Sequence, residues 1–119
     1  MSARKIGDRA EGLACKYLKS LGYKILERNY QIRGGEIDIV ARDKNVLVFV
    51  EVKARWSHNF GEPFESIGYY KMRSLLKTAL FYVNKVNWGE RPYRIDALSL
   101  DFTENKESPK IELVKSVTS

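Results

Sequence analysis

The residues of this chain whose types and spacing could do chemistry are Asp38 and, after twelve intervening residues, Glu51-Val52-Lys53. Asp43-Lys44-Asn45 separates two runs rich in Ile and Val, 36–42 and 46–54, which is the pattern of a β-hairpin. With Lys44-Asn45 as a two-residue loop, Asp38 lies directly opposite Glu51. Alternate residues of a strand share a face, so Glu51, Lys53 and Arg55 point the same way and Asp38 joins them from across the ladder. Glu36 then faces Lys53, while Ile37, Ile39, Val48, Val50 and Val52 form an apolar opposite face. Two carboxylates opposed at ~5 Å repel each other, and a cation between them removes that cost. A lysine two residues along places an ammonium beside such a cation and beside any water bound to it. This is a layout for phosphodiester cleavage, with Lys53 orienting or deprotonating the water or neutralising the transition state. The same residues also make a salt-bridge ladder on a solvated sheet face, and spacing alone leaves both readings open.

The ligand inventory narrows the choice of ion. One His (His58) and one Cys (Cys15) exclude a structural zinc site and an intrachain disulfide. A metal here must be held by carboxylates, which suit Mg²⁺ or Mn²⁺. The charge distribution agrees. The chain has 119 residues and a net charge of +6. Residues 1–35 carry net +5, 36–65 net −2, 66–101 net +3, and the tail is neutral. An acidic island between basic flanks suits a cation held inside a surface that attracts phosphate. The longest apolar run, Val46–Val50, is far below the ~20 residues of a membrane span. Arg4 and Lys5 precede no apolar core, so no secretory signal is expected and the expected location is cytoplasmic.

The elements that must position these residues follow from periodicity. Ser2 is placed to cap a first helix whose apolar stripe is Ile6, Ala10, Leu13, Ala14, Tyr17, Leu18 and Leu21, with Gly22 as its stop. Residues 23–32 read as a bent strand that Gly34-Gly35 ends. After the hairpin, 55–68 lack periodicity and predict a long, mobile loop. A second helix over about 66–87 presents Met72, Leu75, Leu76, Ala79, Leu80, Val83 and Val86 and contains no acidic residue. Pro92 excludes a central strand before it, so the next strand is 93–101; a polar turn and a short edge strand at 111–114 complete the chain. One domain is expected, an α/β fold of order αβββαβ with its core over about 4–101 and a polar tail after it.

At these residues a resemblance emerges. Asp38…Glu51-Val52-Lys53 at the end of an apolar strand resembles the PD-(D/E)XK nuclease superfamily, whose core has this element order. More narrowly, the chain resembles the bacterial YraN-like family of predicted endonucleases. The segments that carry this are Gly7-x-x-Ala10-Glu11, Arg28-Asn29-Tyr30, Gly34-Gly35-Glu36-Ile37-Asp38, Phe49-Val50-Glu51-Val52-Lys53, Lys71 with its helix, and Arg94-Ile95-Asp96. It spans about residues 4–100 and is distantly similar to archaeal Holliday-junction resolvases. Ile37 stands where the superfamily's name has Pro. The resemblance implies a restriction-endonuclease-like core with a mixed sheet flanked by helices. It also implies Asp38 and Glu51 as metal ligands, Lys53 as the catalytic lysine, Glu11 as a further carboxylate, and Mg²⁺ or Mn²⁺ as cofactor.

The implied activity is phosphodiester hydrolysis in nucleic acid, DNA before RNA, branched or single-stranded forms included. The alternative is a non-catalytic nucleic-acid-binding module that keeps the fold. Arg55, Lys71, Arg73 and Lys77 are candidate phosphate contacts. Trp56 is either a base-stacking ring or a hydrophobic plug. His58 reads as a loop residue, Asp96 as the structural partner of a buried Arg, and Cys15 as a small core residue. So small a nuclease offers little surface for clamping a duplex, and family analogy allows a homodimer.

Overall fold

The computed structural model describes residues 3–57 and 67–117. Its elements run α1 (Ala3–Ser20), β1 (Lys24–Ile32), β2 (Gly35–Asp43), β3 (Val46–Arg55), α2 (Tyr69–Lys85), β4 (Tyr93–Asp101) and β5 (Lys110–Val114). Ser2, His58 and the expected loop from 58 to 66 lie outside the described residues, as does the side chain of Ile6. Gly22, at φ 91°, closes α1 as expected: Tyr23 N–H donates to Leu18 O at 3.1 Å and Gly22 N–H to Lys19 O at 2.9 Å.

The five strands form one mixed sheet in the order β1-β2-β3-β4-β5, antiparallel except for the parallel β3–β4 pair. The parallel pair follows from its connection, since α2 carries the chain back across the sheet between β3 and β4. Helix α1 covers one face, packing Ala10, Ala14, Cys15 and Leu18 against Ile39, Val48, Val50, Leu98 and Phe102. Helix α2 covers the other, packing Leu75, Ala79, Tyr82 and Val83 against Ile37, Val40, Leu47, Phe49 and Ile95. Strand β5 adds an edge beyond β4, and Phe102, past the expected core boundary, is fully buried. This is the α/β, restriction-endonuclease-like core with one strand added. Among the described residues, no helix is long and apolar enough to cross a membrane.

The hairpin register is the one read from the turn: Ile39 pairs with Val50 and Asp43 with Val46, and Lys44 takes the turn at φ 54°. The ladder ends at Ile39–Val50, so the expected Asp38–Glu51 and Glu36–Lys53 pairs do not form; Glu36 pairs with Gln31 in β1. The face assignment also needs correcting. Ile37 packs under α2, whereas Ile39 packs under α1, so alternation breaks at Asp38. Opposite Asp38 in β1, Asn29 adopts φ 53°, a left-handed conformation that Asn tolerates, and the 29–38 pair is missing between Arg28–Ile39 and Tyr30–Ile37, while the register itself shifts between Ile25 and Glu27.

Four positions expected on the helices' apolar stripes differ. Leu21, beyond the last turn of α1, is half exposed. In α2 the buried positions are Leu75, Thr78, Ala79, Tyr82 and Val83, while Leu76, Leu80 and Val86 face outward. Gly35 meets this buried face. Any Cβ there would collide with Thr78 Oγ1, so the start of β2 lies directly on the helix. Ser74 Oγ donates to Gly34 O at 3.1 Å and Thr78 Oγ1 to Ser74 O at 2.7 Å, which satisfies the hydroxyls at this approach.

Candidate active site

The site is built where β2 and β3 part. Beyond Val50 the two strands no longer share ladder bonds, and Asp38 fills the gap: its Oδ2 accepts the Val52 N–H at 2.8 Å. Glu51, Lys53 and Arg55 lie on the α2 face of β3. Glu51 is 5% exposed. Its Oε1 takes Lys71 Nζ, from the first turn of α2, at 3.4 Å and Lys53 Nζ at 3.9 Å. Its Oε2 is buried and has no hydrogen-bond partner. Across the parallel ladder Glu51 and Lys53 neighbour Ala97 and Ser99, whose small side chains leave space above them.

On the α1 side, Glu11 and Asp38 line one cavity of about 270 Å³ with Asp8, Val52 and Ala54. Glu11 is held in place: Asn29 Nδ2 donates to its Oε1 at 2.9 Å and Arg28 Nε at 3.2 Å. Asn29, which stands opposite Asp38 and does not pair with it, thus clasps Glu11 instead. Asp38 stands between the two carboxylate groups. Among the described residues, no three acidic or other ligating side chains converge closely enough to hold one ion.

Burial raises the pKa of Glu51, and the charge of Asp38 adds to it while Lys71 and Lys53 oppose it. Burial likewise raises Asp38, against the Val52 hydrogen bond and the charge of Lys71. Burial also raises Glu11, which Arg28 partly offsets. Carboxylates raised above their ordinary values stabilise the fold below those values and lose that contribution as pH rises through the raised ones. The metal-free protein is thus expected to melt lower at about pH 7 than at about pH 5 on account of these groups. The Glu51→Gln protein should lose less over the same range. Thermal melts of both across this window check it, and parallel pH profiles would refute the assignment.

The remaining sequence-derived residues are placed as follows. Arg55 Nε donates to Ser57 O at 3.1 Å at the end of β3. Trp56 packs in the α1-side core, its ring stacked on Phe102 at 3.8 Å and 2°. One ring face is thereby covered, which is the packing of a hydrophobic plug. Arg73 and Lys77 sit on the outer side of α2, away from Glu51. Asp96, fully buried, receives Arg94 Nε on both oxygens at 3.0 and 3.1 Å, so it is a structural partner. Cys15 is a buried core residue. Sequence reasoning missed Lys71 as a partner of Glu51, and Arg28 and Asn29 as partners of Glu11; the only prior signal was the presence of these residues in the resembling segments.

Residues 10–100 match the Uncharacterised protein family UPF0102. The chain belongs to this family, the YraN-like group. A UPF0102 protein of Carboxydothermus hydrogenoformans is 43% identical over 106 residues, covering 89% of this chain and 90% of the relative. One from Geobacter metallireducens is 43% identical over 109 residues, with 92% and 88% covered. One from Clostridium botulinum is 38% identical over 114 residues, with 95% and 93% covered. The family match takes in every element from the middle of α1 to β4, and with them all the site residues of this UPF0102 member.

Proposed function

We propose that this UPF0102 chain is a metal-dependent nuclease that hydrolyses phosphodiester bonds in nucleic acid, DNA before RNA. One observation carries the reading: a buried carboxylate, Glu51, is held by two lysines on one oxygen and presents the other without a partner, beside Asp38. An unpaired buried carboxylate oxygen costs on the order of 1–3 kcal/mol or more, and a cation offsets it. Hard oxygen donors suit Mg²⁺ or Mn²⁺, so the residues present fit such an ion, with Asp38 and Glu51 holding it. When bound, the ion would neutralise a phosphate oxygen and acidify a water.

The chain's own residues do the rest. The Val52 N–H orients Asp38 toward the gap between the strands. Lys53, 3.9 Å from Glu51 Oε1, keeps an ammonium where charge develops on the phosphoryl oxygens. Lys71, less buried than Lys53, fixes Glu51 and faces an incoming phosphate. Glu11, clasped by Arg28 and Asn29, adds negative charge on the α1 side of Asp38. The enzyme would act in the cytoplasm, which suits a lone, buried Cys15.

A second reading has its own observation. Glu11 Oε1 is already occupied by Arg28 and Asn29, and only two of the carboxylates remain for an ion. That favours a nucleic-acid-binding module without catalysis. Cleavage of a panel of duplex, branched and single-stranded DNA in Mg²⁺ or Mn²⁺ separates the two. The nuclease reading expects cleavage that disappears in Asp38→Ala, and calorimetric Mn²⁺ binding that disappears in Glu51→Ala. Equal binding of DNA by inert wild-type and Asp38→Ala proteins would establish the module instead.

A further inference from the structure

Because α2 buries Leu75, Thr78, Ala79, Tyr82 and Val83, its opposite face is turned to solvent. Helical spacing aligns Tyr70, Arg73, Lys77 and Phe81 in one stripe on that face. Tyr70 is 83% exposed, Tyr69 68% and Phe81 54%. Tyr70 meets the Tyr69 ring edge-on at 5.3 Å, and the Arg73 guanidinium lies 5.6 Å from the Tyr69 centroid. The far end of the stripe opens into a groove of about 1010 Å³, where Phe81 and Lys77 are joined by Arg33 and Lys85. From Tyr69 to Lys85 there are four basic residues and no acidic one. The near end begins beside Lys71, which touches Glu51.

We propose that this stripe is a track for single-stranded nucleic acid running from the candidate site, with bases stacked on Tyr70 and Phe81 and phosphates held by Arg73 and Lys77. The inference rests on the nucleic-acid part of the reading above and names its substrate class. A duplex hides its base faces, so rings displayed along a helix can stack only on unpaired bases. The two rings stand about 16 Å apart along the helix with both cations between them, so bases stacked at the two ends leave the intervening phosphates against Arg73 and Lys77. A second copy of the chain is the poorer occupant. A symmetric contact of this face with itself would bring Arg73 and Lys77 against their own equivalents, with no acidic residue on α2 to pair with them.

Fluorescence anisotropy in EDTA, with a labelled single-stranded oligonucleotide and a blunt duplex of equal length, tests this. The wild type is expected to bind the single strand more tightly. Tyr70→Ala and Phe81→Ala should each weaken that binding about 5- to 150-fold without changing its salt dependence. Lys77→Ala should instead flatten the slope of log affinity against log salt by about 0.7. Thermal melts and Mn²⁺ calorimetry unchanged from wild type show that fold and metal site are intact. Preference for the duplex, wild-type affinity in both ring variants, or dissociation of a dimer by Phe81→Ala with nucleic-acid binding unaltered would each overturn the track. Cleavage by the wild type with ring-independent binding defeats the track alone. Ring-dependent single-strand binding by a protein that never cleaves upholds the track and defeats the nuclease.

Discussion

Lys53→Met is expected to lower single-turnover cleavage about 10²- to 10³-fold while leaving the fold and Mn²⁺ binding in place. Lys53 is one of two cations on Glu51 Oε1, and it is the one on the same strand, two residues away. Removing it leaves Lys71 at 3.4 Å to hold the carboxylate, so Glu51 does not become an isolated buried charge. Mn²⁺ affinity should stay the same or increase, because one positive charge beside the ligand has gone. The loss should therefore fall on the rate at saturating metal and substrate, not on KM. Cleavage time courses at several Mn²⁺ concentrations measure this. A Lys53→Met protein that cleaves at the wild-type rate would remove the lysine from the mechanism; a protein inert only because it no longer binds Mn²⁺ would make Lys53 a positioning residue for Glu51.

Asp96→Ala is expected to destabilise the protein by about 3–5 kcal/mol. Asp96 is fully buried in β4 and accepts Arg94 Nε on both oxygens. Its Oδ1 also accepts the Ser116 N–H at 2.9 Å. Arg94 in turn reaches the Tyr23 hydroxyl at 2.8 Å and Asp43 at 3.6 Å. One ion pair thus ties β4 to the segment after β5, to the residue entering β1 and to the end of β2. Truncating Asp96 leaves a largely buried guanidinium short of its main counter-ion, and that uncompensated charge is the main cost. A small domain has about 5–15 kcal/mol in total, so the melting temperature should fall by about 10–20 °C. The double variant Asp96→Ala with Arg94→Met should recover much of the loss, because both charges leave together. Denaturant unfolding of the three proteins tests the coupling. Additive losses would show that the pair does not act as a unit.

These two predictions draw on different parts of what the chain makes legible. Asp38, Glu51 and Lys53 stand out as a sequence pattern, and Lys44-Asn45 sets the hairpin register within a few residues of itself. Asp96 stands out only as an acidic residue in an apolar strand, and its three-way tie through Arg94 spans most of the chain. The phase of α2 shows the same limit. By periodicity Leu76 and Leu80 belong to the core, yet Thr78 and Tyr82 take those places. Thr78 lies against Gly35, more than forty residues earlier, where there is no room for a Cβ, and its hydroxyl is satisfied within the helix by Ser74 O.

By itself, then, the sequence determined the element order, the hairpin register near its turn and the family, all of which depend on neighbours in the chain or on the ordered set of segments. Only the tertiary structure decided where the β2–β3 ladder stops, which side of the sheet each carboxylate faces, and that Lys71 joins Glu51. The physical reason is that these features depend on competition for a partner across long separations. Asp38 accepts the Val52 N–H where a ladder carbonyl would have served, Asn29 of β1 donates to Glu11 of α1, and a buried Glu51 takes whichever cations the packing of α2 brings to it. Spacing along a strand cannot express such a competition; packing α1 and α2 on opposite faces of one sheet does.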